Sequence, residues 1–231
     1  MDIILIGGLW LTGAAWDDVV PGLEARGHRP VPLTLPGQGD GDTTATLEEQ
    51  ADAVVAAVDA VGLAGGLPLV VGHSAACTLA WLAADRRPER IAATALIGGF
   101  PVEHGQEYFS FLEPTDGLLA FPGWEPFEGR DTADLDGAAR ARIAPTLVDV
   151  PEAVVKGTVR LTDERRYDVP TWLVCPEFTT AEAREWVATG ELPELARATR
   201  LEYADIDSGH WPMYSRPADL ADLLATIAER L

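Results

Sequence analysis

An alternation along the chain constrains the fold more than any other feature. Short apolar runs with strand character give way, again and again, to segments with helical spacing. Residues 3–6 form an apolar run closed by Gly7 and Gly8, which reads as a buried strand. Residues 16–26 place Trp16, Val19, Val20 and Leu23 on one helical face, with Asp17 and Asp18 near the start and Gly27 as the stop. Residues 30–33 read as a second strand and "LPGQGDGD" as a turn-rich loop. Thr46-Leu47-Glu48-Glu49 is a capping box, which predicts a helix to about Val61. Strands are then predicted at 67–71, 91–97, 171–175 and 201–206, and helices at 74–84 and 181–187. Pro217 opens a last helix, at a position where its missing N–H costs nothing. Parallel strands need crossover connections, usually helices. The pattern therefore predicts a mainly parallel α/β sheet with helices on both faces.

The alternation stops between about residues 98 and 167. This stretch is rich in proline and in aromatic residues: Phe100, Tyr108, Phe109, Phe111, Phe121, Trp124 and Phe127. A structureless loop that long is improbable in a domain of this kind. The expectation is one domain over 1–231, with a small helical lid inserted at about 100–167. A chain of 231 residues suffices for such a domain and a real core.

The formal net charge is -20, spread along the chain, which excludes nucleic acid and anionic membranes as expected partners. Cys77 and Cys175 each sit in an apolar run and read as buried free thiols, as in a reducing compartment. The first residues lack the basic region and long apolar run of a signal peptide, so a cytoplasmic location is expected.

Three glycine-rich stretches could carry chemistry. Gly8 to Gly13 has the spacing of half a phosphate-binding loop, but Ala14 and Ala15 replace the residues that would reach phosphate and metal. Gly37-Gln38-Gly39-Asp40-Gly41 is a turn cluster without a following helix. Gly72-His73-Ser74-Ala75-Ala76 differs, because it follows a predicted strand and precedes a predicted helix, as a nucleophile elbow must. Small residues at positions 72 and 76 let strand and helix approach. The turn aims a helix N-terminus at the reacting oxygen and makes the Ala75 N–H a natural oxyanion donor. A serine that merely caps a helix fits the same pentapeptide. "ADIDSGHWPM" then puts His210 after the last strand, on the sheet edge that also carries Ser74. The other histidines, His28, His73 and His104, are scattered and make no paired ligand motif, so neither metal nor cofactor is expected.

On these residues the chain resembles the α/β-hydrolase fold superfamily over nearly its whole length. The motifs are "LIGGLW", "LPGQGDG", "GHSAA", "VPTWLVC" and "DSGHWP". It is similar to small single-lid bacterial serine hydrolases and, more distantly, to the plant methylesterase and hydroxynitrile lyase group. The resemblance implies Ser74 as nucleophile, His210 as general base, and the N–H groups of Leu9 and Ala75 as the oxyanion hole. Gly7-Gly8 stands where the family usually has His-Gly. The family's acid is usually an Asp a few residues past "VPTWLV", or just after the preceding strand. Here those places read Cys175-Pro176-Glu177-Phe178-Thr179-Thr180 and Gly98-Gly99-Phe100. Glu177 is the nearest carboxylate, Glu103 the second candidate, and Asp207 is expected to brace the loop by a hydrogen bond. The implied activity is hydrolysis of an ester-type bond in a small, partly apolar substrate. The aromatic residues suggest an apolar pocket lined by Trp10, Phe111 and Trp124, and the lid rings fit a plain lid core equally. The same fold also carries lyases, cyclases and silent binding proteins, and a homodimer is left open.

Overall fold

A computed structural model describes residues 1–63 and 65–231. The chain runs through β1 (Asp2–Ile6), a 3₁₀ turn (Gly13–Trp16), α1 (Val20–Ala25), β2 (Arg29–Leu33), α2 (Leu47–Leu63), β3 (Leu69–His73), α3 (Ala76–Arg86) and β4 (Ala93–Ile97). A segment of short elements follows: β5 (Leu118–Leu119), α4 (Gly137–Ile143), β6 (Val150–Pro151) and α5 (Glu152–Val155). The chain then continues through β7 (Thr171–Cys175), α6 (Thr180–Thr189), α7 (Pro193–Ala196), β8 (Leu201–Asp205), α8 (Pro212–Ser215) and α9 (Pro217–Ala228). The six long strands form one sheet in the order β2-β1-β3-β4-β7-β8, with every neighbouring pair parallel.

Strand alternation splits the core in two. Ile4 and Ile6 of β1, with Val70 and Leu96, pack beneath α2 and α3. Ile3 and Leu5, with Val71, Ala95 and Val174, pack against Leu23 of α1 and Leu220 and Leu224 of α9. Both faces are covered, which is why the central strands read as unbroken apolar runs rather than alternating ones. The predicted capping box closes α2: the Glu49 N–H donates to Thr46 Oγ1 at 3.2 Å and the Thr46 N–H to Glu49 Oε2 at 2.8 Å. Cys77 and Cys175 are buried and unpaired to each other.

Three expectations need correction. The single helix expected over 16–26 is split: Trp16 ends a 3₁₀ turn and α1 begins at Val20. Pro21 has no N–H to donate, so the helix can start at that point but not run through it. Strand β3 extends to His73 and α3 starts only at Ala76, so Ser74 and Ala75 alone make the turn between them. The inserted segment is not simply helical. Leu118 and Leu119 pair antiparallel with Pro151 and Val150, and α4 and α5 are short. Prolines at 114, 122, 126, 145 and 151 interrupt any longer helix. The exit of this segment is pinned to the body by Arg166. Its Nη1 lies 3.2 Å from Asp85 of α3 and its Nε 3.0 Å from Glu194 of α7, all buried.

Candidate active site

Strand β1 lies between β2 and β3, so the chain leaves it to one side and returns on the other. The connections after β1 and β3 therefore run to opposite sides, which makes the C-terminal end of this strand pair the topological switch point of the sheet, the place where open α/β sheets bind ligands. Ser74 stands at that point with φ 55, a left-handed conformation unusual for a residue with a side chain. Such a backbone costs on the order of 1–3 kcal/mol and persists only where its surroundings over-determine it. Here they do. The Ser74 N–H donates to the Ile97 carbonyl at 2.8 Å, and its own carbonyl accepts the Cys77 N–H at 3.0 Å. A Cβ on Gly72 would collide with the Ala76 backbone, and one on Gly99 with the backbone of Ser74 itself.

His210 arrives on the loop after β8. Its Nε2 is 2.9 Å from Ser74 Oγ, and its Nδ1 is 2.8 Å from Glu177 Oε1. The imidazole and the carboxylate are each mostly buried. Glu177 stands just past β7, after Pro176. The loops from β7 and β8 must cross the end of β4 to reach Ser74, and β4 ends in glycine. Gly98 has φ +58, and a Cβ there would lie 3.2 Å from both Glu177 Oε2 and His210 Nδ1. Glu103 is exposed and makes no hydrogen bond to His210. Asp207 braces its loop, but through the backbone rather than the expected side chain: its carbonyl accepts from Arg216 Nε at 3.1 Å.

Gly8 packs directly on the serine, since a Cβ there would be 2.9 Å from Ser74 Cβ and 3.1 Å from His73 Nδ1. Glycine at this position lets the loop after β1 approach the elbow. Among the described residues, neither the Leu9 N–H nor the Ala75 N–H has an acceptor within the chain. Trp10 is buried, its ring edge-on to Phe109, Phe121 and Phe127 at centroid distances of 6.4, 5.4 and 6.0 Å. Trp124 meets Phe121 and Trp211. Trp211 in turn lies 4.8 Å from the His210 ring. Phe111 departs from the expected pocket lining. It is 86% exposed, with its ring against Phe109 at the outer surface. An aromatic-rich sequence cannot say which rings turn inward; only the local path of the chain does.

Sequence reasoning also passed over His73. It is wholly buried, and its Nε2 lies 2.7 Å from the His210 carbonyl. A carbonyl can only accept, so this nitrogen carries the proton. Burial first, and then the neighbouring His210, push its pKa down to about 3. His73 is thus a neutral donor holding the backbone of His210. Its place beside the elbow was the available signal. Among the described residues, no three His, Cys, Asp or Glu side chains gather as a metal site, and no helix is long and apolar enough to cross a membrane.

The parallel sheet and the strained serine turn at its switch point are those of the α/β-hydrolase class. The sequence model of the alpha/beta hydrolase family matches residues 3–223, and the chain belongs to that family. Among its relatives, the pyrethroid hydrolase of Sphingobium wenxiniae is 26% identical over 255 residues, covering 99% of this chain and 88% of the relative. The crystal structure of a pyrethroid hydrolase from Sphingobium faniae superposes with a TM-score of 0.73 at 23% identity, over 99% of this chain and 97% of that one. An extracellular α/β-hydrolase from a Paenibacillus species, described as sharing homology with tobacco salicylic acid binding protein 2, gives 0.77 at 16% identity over 98% of both chains.

Proposed function

We propose that this chain is a carboxylic ester hydrolase working through a Ser74 acyl-enzyme. The observation that carries the reading is the continuous hydrogen-bonded line Ser74 Oγ–His210 Nε2, 2.9 Å, and His210 Nδ1–Glu177 Oε1, 2.8 Å, hung on a strained elbow. In this reading His210 takes the Ser74 proton as Oγ attacks the ester carbonyl. The Leu9 and Ala75 N–H groups receive the developing oxyanion. Glu177 holds the imidazole in the tautomer with the proton on Nδ1 and stabilises the imidazolium that forms. The alcohol leaves with the proton from His210, and water, activated by the same imidazole, releases the acid. The pyrethroid hydrolase relative supports an ester as substrate. The aromatic wall of Trp10, Phe121, Phe127 and Trp211 beside His210 supports a small substrate with an apolar part. The segment between β4 and β7 acts as the lid over it.

A fluorophosphonate probe should label the parent chain stoichiometrically at Ser74, and p-nitrophenyl esters should turn over. Ser74→Ala should abolish labelling and lower kcat by on the order of 10⁶, leaving only what the oxyanion hole and binding supply. A variant that kept more than a few per cent of the parent rate would exclude the acyl-enzyme route.

A further inference from the structure

The loops that carry the reacting groups are tied to the segment inserted between β4 and β7. On the histidine side, the His210 N–H donates to the Asp131 carbonyl at 2.7 Å. The Gly209 N–H donates to Asp134 Oδ2 at 2.8 Å. A Cβ on Gly209 would collide with the Asp131 carbonyl, so the two strips of backbone lie as close as glycine allows. Trp211, next in sequence, packs edge-on against Trp124 and Phe127 of the same segment, at 5.4 and 5.3 Å.

On the oxyanion side the tie runs through Trp10. The Leu11 N–H donates to the Gly8 carbonyl at 3.2 Å, closing a turn with Leu9 and Trp10 at its centre. Trp10 has φ 66 at the third position of this turn, a place that favours glycine. A bulky residue stays there only when held. Two bonds from the inserted segment hold it: the Val148 N–H donates to the Trp10 carbonyl at 2.9 Å, and Trp10 Nε1–H donates to the Leu119 carbonyl at 3.1 Å. The shape of this turn sets which way the peptide groups on either side of Leu9 point.

We propose that the inserted segment sets the geometry of both catalytic loops through two positioning residues, Asp134 for His210 and Trp10 for the Leu9 N–H. It is then a working part of the catalytic machinery as well as a cover, and removing either tie misplaces a reacting group. The proposal rests on the hydrolase reading above.

The test compares the parent with Asp134→Ala, Asp134→Asn and Trp10→Phe. Four quantities are read: the rate of Ser74 labelling by a fluorophosphonate, kcat and KM for a p-nitrophenyl ester, inhibition by a trifluoromethyl ketone, and the melting temperature. A displacement of about 1 Å can cost on the order of a hundredfold in rate. Asp134→Ala is expected to slow labelling and lower kcat about tenfold or more, with KM and melting temperature near the parent's. Asp134→Asn keeps an acceptor oxygen for Gly209 and should recover most of that loss. Trp10→Phe keeps a ring but not the bond to Leu119. It should weaken the oxyanion-forming ketone by the same factor as it lowers kcat, whatever the smaller ring does to KM through the aromatic wall. Variants that label at the parent rate overturn the proposal while the hydrolase reading stands. So does a loss that Asp134→Asn shares equally and that follows the melting temperature, or a Trp10→Phe effect confined to KM. A parent chain that does not label at all overturns both.

Discussion

Glu177 illustrates how one side chain can adjust a site. A glutamate has one more methylene than the aspartate usual in this fold, and it stands directly after a proline that restricts the backbone before it. The added reach brings Oε1 to 2.8 Å from His210 Nδ1. Its second oxygen is buried without a partner among the described residues. A carboxylate held on one side only is aimed by the glycine space around it, chiefly at Gly98. In the proposed mechanism this group orients the imidazole, a function whose loss by amide substitution costs about 10⁴ in kcat in a serine protease. Glu177→Gln should therefore lower kcat at least about a hundredfold, with KM and melting temperature little changed. Glu103→Gln, at an exposed position, should stay close to the parent. Steady-state kinetics on the two variants decide it, and a large loss at Glu103 would move the acid to the lid side.

At the level of elements, the inserted segment is built of short pieces that pack through aromatic rings. Trp10, Phe121, Phe127, Trp124 and Trp211 form a connected series that ends against His210. Phe111 stands outside it, at the surface. If the series walls the acyl or alcohol pocket, Trp124→Ala should change the ratio of kcat/KM for long- and short-chain esters. The expected scale is roughly 1–3 kcal/mol per methylene accommodated or lost. Phe111→Ala should leave that chain-length profile where it was. A profile unmoved by Trp124→Ala would make the ring a packing element only.

For the molecule as a whole, the buried His73 couples folding to pH. Its folded pKa, about 3, lies below the usual histidine value of 6.5 because burial disfavours the charged form. Between these values the unfolded chain binds a proton that the native chain does not, so stability falls as pH drops through that window and is fully present above it. Each pH unit inside the window is worth up to about 1.4 kcal/mol from this one group. His73→Gln cannot titrate, yet it keeps an N–H for the His210 carbonyl. The difference in urea-unfolding free energy between parent and variant should therefore shift by roughly 2–3 kcal/mol between pH 7 and pH 4.5, in the variant's favour at the lower pH. A difference that stays constant would mean that His73 carries no such coupling. The net charge of -20 acts differently, as diffuse repulsion that salt screens.

The sequence by itself determined the alternation of strands and helices, hence the parallel sheet, because burial on both faces leaves apolar runs of a length and spacing that other folds do not need. It also pointed to Ser74 and His210, since the elbow is local chemistry: glycine and alanine at fixed offsets between a strand and a helix. Glu177 was legible only as the nearest carboxylate, because its meeting with His210 depends on two loops crossing the glycines at the end of β4. The tertiary structure alone decided the rest. It turned Phe111 outward, took His73 out of a scatter of histidines to hold the His210 backbone, and brought Asp131 and Asp134 to the loop of His210 from some 75 residues away in the chain. Those contacts are between groups with no sequence relation. A single polar pair or an inward-turned ring leaves no periodicity to read; it exists only once the inserted segment has folded back over the sheet.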